Sequence, residues 1–252
     1  MSDLVSDLLL ALAATIAGAV NAVAGGGTFV TFPALTEVAL VLPVVANATN
    51  TVALFPGNFA SAWAYRKDLS KPDGVSVWLL LLIAIAGSTF GAWLVTVTSD
   101  STFLKVVPFL LLFATLLFAA GNRIARWLQA HATLAPWWLA VGMVPVAIYG
   151  GYFGAAMGIV QLALFAVIGM TDLNRMNALK TIFTGVCNMT AVFLFIAKGF
   201  VEWRPAIIMA LGAIVGGYWC ARWARRLNPL LLRRAIIVIG LATSAYYFSK
   251  AF

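Results

Sequence analysis

Residues 74–97 contain no charged side chain, and the stretch from Leu79 to Gly87 reads LLLLIAIAG. A helix needs about 20 apolar residues to cross the hydrocarbon core of a bilayer. A membrane β-strand would alternate apolar and polar residues with period two, and this stretch does not. Such runs recur along the chain. Apolar segments fall at roughly 6–24, 28–41, 45–65, 74–97, 102–120, 135–150, 156–170, 174–197, 203–221 and 229–248. Only 10% of the residues are charged, against about 25% in a soluble domain. The pattern predicts an all-α integral membrane protein.

The first, second, sixth and seventh segments are short for a span. At 1.5 Å per residue the second reaches only about 21 Å, against a core of about 30 Å. Each short pair is either two tilted spans or a re-entrant hairpin. Loop parity is the same in both cases, so orientation is countable. One side carries eleven Lys and Arg residues, from Arg66 to Arg234, and the other carries Lys105, Lys198, Arg204 and Lys250. Basic residues collect in cytoplasmic loops, which places both termini outside. That bias also accounts for the net charge of +8 without nucleic acid as a partner. The opening MSDLVSDLLLALAATIAGAV has Asp3 and Asp7 in place of a basic leader, so it reads as a retained segment. With one histidine, His131, in a loop, no metal or cofactor site is expected.

The second half echoes the first. ANATNTVALFPGN (46–58) aligns with MNALKTIFTGVCN (176–188), pairing Asn47 with Asn177, Thr51 with Thr181 and Asn58 with Asn188 at one offset of 130. The glycine tip AGGGTFV matches GAAMGIV, and GSTFG (87–91) matches GAIVG (212–216) as a small-residue helix contact. Each half holds five segments, an odd number, so the halves are expected to lie in opposite senses across the bilayer. The expected architecture is two inverted repeats of about five helical segments each, with short or re-entrant first hairpins. The N-terminal membrane repeat would span 1–120, a cytoplasmic loop 121–134, and the C-terminal repeat 135–252. Inverted repeats are the usual plan of secondary transporters, with the substrate site at mid-membrane.

Two polar stripes stand out. The third segment carries Asn47, Asn50, Thr51, Asn58 and Ser61 on one helical face, and the eighth carries Asn177, Lys180, Thr181, Thr184 and Asn188. Polar groups facing lipid are costly, so both stripes should face inward, to line a cavity or to join helices. Lys180 lies about six residues into its segment, roughly 9 Å deep at helical rise. It either snorkels to the headgroups or attracts an anion. Gly25, Gly26 and Gly27 break the first apolar run, and a new helix is expected at Thr28. A helix N-terminus offers free N–H groups and a positive partial charge to an anion. The alternative is a tight turn in which glycine serves only backbone freedom. Pro56-Gly57 adds a kink within the third segment.

GGGTFVTFP followed by ANATN, repeated in degenerate form later, resembles the TauE/SafE sulfite exporter family over essentially the whole chain. In the second half Leu164 stands near the place of the proline usual in that family. The resemblance implies movement of small sulfur-containing anions, such as sulfite, sulfonates and sulfoacetate, across the bacterial inner membrane. It makes Gly25, Gly26, Gly27, Asn47, Asn50 and Asn58 candidate site residues, with Asn177, Lys180, Thr181 and Asn188 opposite. Thr51 and Thr184 complete the stripes. Amide N–H₂ groups, hydroxyls and one ammonium suit the three acceptor oxygens of a sulfonate. An anion-selective channel or uniporter would use the same stripes without a closing gate. A membrane enzyme would need a nucleophile with its base, a metal, or paired carboxylates, and Cys187 has no histidine near it in sequence.

Overall fold

The computed structural model describes residues 3–23, 26–64, 74–131, 134–223 and 229–252. Among them are ten α-helices: α1 (Asp3–Val23), α2 (Thr28–Pro33), α3 (Pro43–Ala64), α4 (Val77–Val97), α5 (Asp100–His131), α6 (Trp138–Tyr152), α7 (Met157–Val167), α8 (Leu173–Ala197), α9 (Trp203–Trp223) and α10 (Pro229–Ala251). They correspond one to one with the ten apolar segments. Four contain stretches long and apolar enough to cross a membrane: Asp3–Asn21, Val77–Val97, Asp100–Gly121 and Asn174–Ala197.

The second helix of each half is short, six residues for α2 and 11 for α7. In α2 the cause is Pro33, which lacks an N–H and cannot continue the ladder. The backbone widens there into a π-turn, Ala34–Val38, closed by Ala39 N donating to Ala34 O at 3.2 Å. Phe32 anchors the hairpin. It is fully buried, with its ring 6.0 Å from Phe153 and 6.4 Å from Phe103, both edge-on.

Large apolar side chains cover the outside: Trp78, Leu82, Val97, Phe193, Leu211 and Val238 are all more than half exposed. Thr31, Asn47, Thr49, Asn50, Ser88 and Gln161 are buried. A soluble protein keeps large exposed apolar patches small. Apolar outside and polar inside is what a lipid solvent selects.

Two close helix crossings knit the molecule. At α4–α6 a Cβ on Gly91 would stand 2.0 Å from the Ile148 carbonyl oxygen, and one on Gly151 would stand 2.0 Å from that of Ser88. At α1–α9 a Cβ on Gly216 would stand 1.9 Å from the Thr15 oxygen, and one on Gly18 would stand 2.3 Å from that of Ala213. Glycine lets these backbones touch where lipid provides no hydrophobic drive between helices. GSTFG and GAIVG therefore pack within the chain, each against a helix from the other half. Further pairings are α3 with α9, α4 with α8, α5 with α10, and α3 with α8. Exchanging α1–α5 with α6–α10 in order maps this set of pairings onto itself.

One expectation needs correction. Residues 121–131 are not loop: α5 runs 32 residues without a break to His131. Gly121 alone costs a helix only about 1 kcal/mol relative to alanine, and the Arg, Leu, Gln and Ala residues after it are good helix formers.

Candidate functional site

The glycine break is held by α1. Gly27 N donates to Asn21 Oδ1 at 2.7 Å, and a Cβ on Gly27 would meet the Ala17 carbonyl at 2.7 Å. Gly26 has φ +98°, a conformation that favours glycine. The new helix begins at Thr28, as expected. Phe29 N donates to Gly26 O, and Val30 N and Thr31 N both donate to Gly27 O. Turn geometry and Asn21 thus take up several of the donors at this end. Gly25 lies outside the described residues.

The two stripes sit on helices that pack against each other, α3 and α8. On α3 most of the described polar groups are tied down. Asn50 Oδ1 accepts the Thr31 hydroxyl proton, and Asn50 Nδ2 donates to Thr28 Oγ1 at 3.4 Å. Asn47 Nδ2 donates to Tyr152 O at 2.9 Å, at the end of α6. Its Oδ1 is buried with no partner among the described residues. Thr51 donates back to Asn47 O at 2.9 Å, within its own helix. The Asn58 side chain lies outside the described residues.

On α8 the stripe is looser. Asn177, Lys180, Thr181, Thr184 and Asn188 are all partly exposed. Thr181 donates to Asn177 O at 3.0 Å, and Thr184 Oγ1 donates to Gln161 Oε1 at 3.0 Å. The Lys180 stem lies against Gly158, where an added Cβ would come 3.0 Å from Lys180 Cδ. Among the described residues no acid or carbonyl pairs with its ammonium. Asp172 plays a different part. Its Oδ1 caps α8 by accepting from Asn174 N at 2.9 Å and Arg175 N at 3.3 Å.

Two side chains escaped the sequence reading. Asn21 closes the first apolar run, and nothing in its neighbours marks it as the acceptor for Gly27. Gln161 was findable: it is the one polar side chain in MGIVQLALFAV, three residues after Gly158, and it sits at offset 130 from Thr31.

Cavities open toward opposite ends of α8. One of about 580 Å³ is lined by Asp3, Asp7, Val38–Leu42, Glu202 and Arg204. Arg204 bridges its wall to Asp7 at 2.8 Å and to Asp3 at 3.3 Å. The other, about 150 Å³, is formed by Ile168–Asp172 and Arg175. No stripe residue lines either. Among the described residues no group of His, Cys, Asp and Glu side chains has the arrangement of a metal site.

An apolar helical bundle with matched polar seams inside and cavities toward both ends defines a multi-pass membrane protein of the transport class. A sequence model of the family described as "Sulfite exporter TauE/SafE" matches residues 10–247, and the chain belongs to that family. It is 26% identical over 247 residues to "Probable membrane transporter protein ORF9" of Sinorhizobium sp, covering 96% of this chain and 93% of that one. It is 27% identical over 248 residues to "Probable membrane transporter protein YfcA" of Escherichia coli K12, covering 96% and 90%. A "Probable membrane transporter protein" of Haemophilus influenzae is 24% identical over 256 residues, covering 96% and 95%. No solved structure matches the chain.

Proposed function

We propose that the protein is a secondary transporter of small sulfur-containing anions, of the sulfite, sulfonate or sulfoacetate type, working by alternating access of two inverted halves. The substrate is bound between the glycine break at 25–27, the α3 stripe of Asn47, Asn50, Thr51 and Asn58, and the α8 stripe of Asn177, Lys180, Thr181, Thr184 and Asn188. The chain sits in the bacterial inner membrane with both termini outside.

The observation that carries this reading is that contacts repeat with the sequence. Thr28 meets Asn50 in the first half, and Gly158 meets Lys180 in the second, both members displaced by 130. The exchangeable helix pairings support the same two-fold plan. Such a pair of units can rock about a site at their junction. Lys180 supports the charge preference, since an ammonium without an acid beside it favours an anion. Asn and Thr donors suit oxyanion oxygens. Membrane potential alone can drive an anion outward, at about 2.3 kcal/mol per elementary charge per 100 mV.

Counterflow in proteoliposomes tests the proposal. Sulfite or sulfoacetate loaded on the trans side should accelerate uptake of the labelled anion, as only a carrier allows. Flux indifferent to trans-substrate would convert the carrier into a pore. Acceleration by carboxylates alone would remove the sulfur specificity.

A further inference from the structure

Gln161 has no assigned role. Its side chain is fully buried. Its Oε1 accepts the Thr184 hydroxyl proton at 3.0 Å, and its Nε2 has no partner among the described residues. As oriented, the amide leaves its donor end, the nitrogen, without a partner. Buried side-chain amides in native proteins are nearly always paired, so an unpaired amide donor beside a lysine calls for an acceptor that the chain does not supply among the described residues. One turn earlier on the same face of α7 is Gly158, against which the Lys180 stem lies. Lys180 and Thr184 in turn share a face of α8. The two facing pairs bring the unpaired amide and the Lys180 stem into one seam, toward the N-terminal end of α7.

We propose that Gln161 is an anion-binding residue: its Nε2 amide and the Lys180 ammonium together hold two oxygens of a small oxyanion at the α7–α8 seam. This rests on the anion-transport reading and names the point of contact within it. An ammonium is a compact point charge that accepts any anion. An amide N–H on a packed helix is directional and needs a second acceptor oxygen in a fixed place. The pair therefore selects oxyanions over halides, which the lysine alone does not.

The test is titration calorimetry on the purified full chain with sulfite, sulfoacetate, acetate and chloride, for wild type, Gln161→Leu and Gln161→Glu. Gln161→Leu should weaken oxyanion binding about tenfold and leave chloride binding as it was, erasing the oxyanion preference. Gln161→Glu keeps the shape but sets a carboxylate beside Lys180, and should weaken every anion about a hundredfold. It also serves as the readout if the leucine variant does not fold, folding being followed by melting temperature. Sulfite binding unchanged in both variants overturns the role of Gln161 and leaves the transport reading standing. Gln161-dependent binding of acetate with none of sulfite or sulfoacetate upholds Gln161 and removes the sulfur specificity. No anion binding by wild type overturns both.

Discussion

The α2–α3 seam and the α7–α8 seam occupy corresponding places in the two halves, yet they are filled in opposite ways. In the first, Asn50 spends both ends of its amide on Thr28 and Thr31, and Asn47 and Asn50 are buried. In the second, the counterpart of Asn50 is Lys180, the counterpart of Thr28 is Gly158, and the counterpart of Thr31 is Gln161. The exchange removes two hydroxyls, moves the amide to the short helix, adds a charge and leaves donors over. The α2–α3 seam is a latch, and the α7–α8 seam leaves an ammonium and an amide N–H without partners among the described residues. Asn50, with both ends of its amide bonded, stiffens its seam, and the group left over there, Asn47 Oδ1, is an acceptor, whereas unpaired donors invite an anion. The two glycine-lined crossings that join the halves, by contrast, are alike, with added Cβ atoms at 1.9–2.3 Å from backbone oxygen.

The strongest way to break the comparison is to copy the second seam into the first. Asn50→Lys places an ammonium against two threonine hydroxyls at a site only 2% exposed. Removing the amide and burying an unpaired charge should cost about 3–5 kcal/mol. The variant should be recovered poorly, with a melting temperature far below wild type in the same detergent. A stable Asn50→Lys protein would mean that the first seam is as open as the second.

Next in size is a pair of truncations. Lys180→Ala should lower sulfite or sulfoacetate affinity about a hundredfold, about 2.7 kcal/mol, with little loss of melting temperature, because no ion pair is broken. Asn50→Ala should lower the melting temperature, at about 1–3 kcal/mol for leaving the Thr28 and Thr31 groups short of a partner. Thermal unfolding with and without the anion reads both quantities from one preparation. Equal thermal losses would erase the distinction between latch and binding surface.

A smaller effect separates the two tips. Gly27→Ala drives a Cβ to 2.7 Å from the Ala17 carbonyl, and rigid backbone cannot yield, so a loss of about 1–3 kcal/mol is expected. Gly158→Ala meets only the flexible Lys180 stem, at 3.0 Å. It should fold normally and alter anion affinity by shifting the ammonium. Melting curves and titrations on the two variants would show whether glycine serves packing at the first tip and lysine placement at the second.

Helix number, the break before Thr28 and the small-residue crossings were all legible in the sequence. Each follows from local chemistry: apolar run length, glycine and proline cost, and repeated small residues. The reach of α5 to His131 was not, because charged residues were read as loop when they simply extend a helix beyond the apolar region. The polar stripes were legible as helical faces, but not which of their groups would be spent internally. That depends on partners far along the chain, such as Tyr152 O for Asn47 and Asn21 for Gly27. Gln161 was overlooked because one amide in an apolar run carries no period, although its offset of 130 from Thr31 was there to be read.

The finest contrast is between Gly57 on α3 and Gly185 on α8. An added Cβ meets nothing within 4 Å at either position. Each lies inside a helix, where alanine is favoured by about 1 kcal/mol, so both Gly→Ala variants should melt slightly higher than wild type. Their effect on transport should differ. Gly185 follows Thr184 directly, next to the seam with unpaired donors, whereas Gly57 lies more than a turn beyond the last fully tied residue of the first seam. Gly185→Ala should slow anion counterflow severalfold while raising the melting temperature, and Gly57→Ala should do less. Slower transport by a more stable protein would assign the space beside Gly185 to the substrate path. Equal counterflow in the two variants would mean that both glycines face lipid, and the functional difference between the halves would then rest on Lys180 and Gln161.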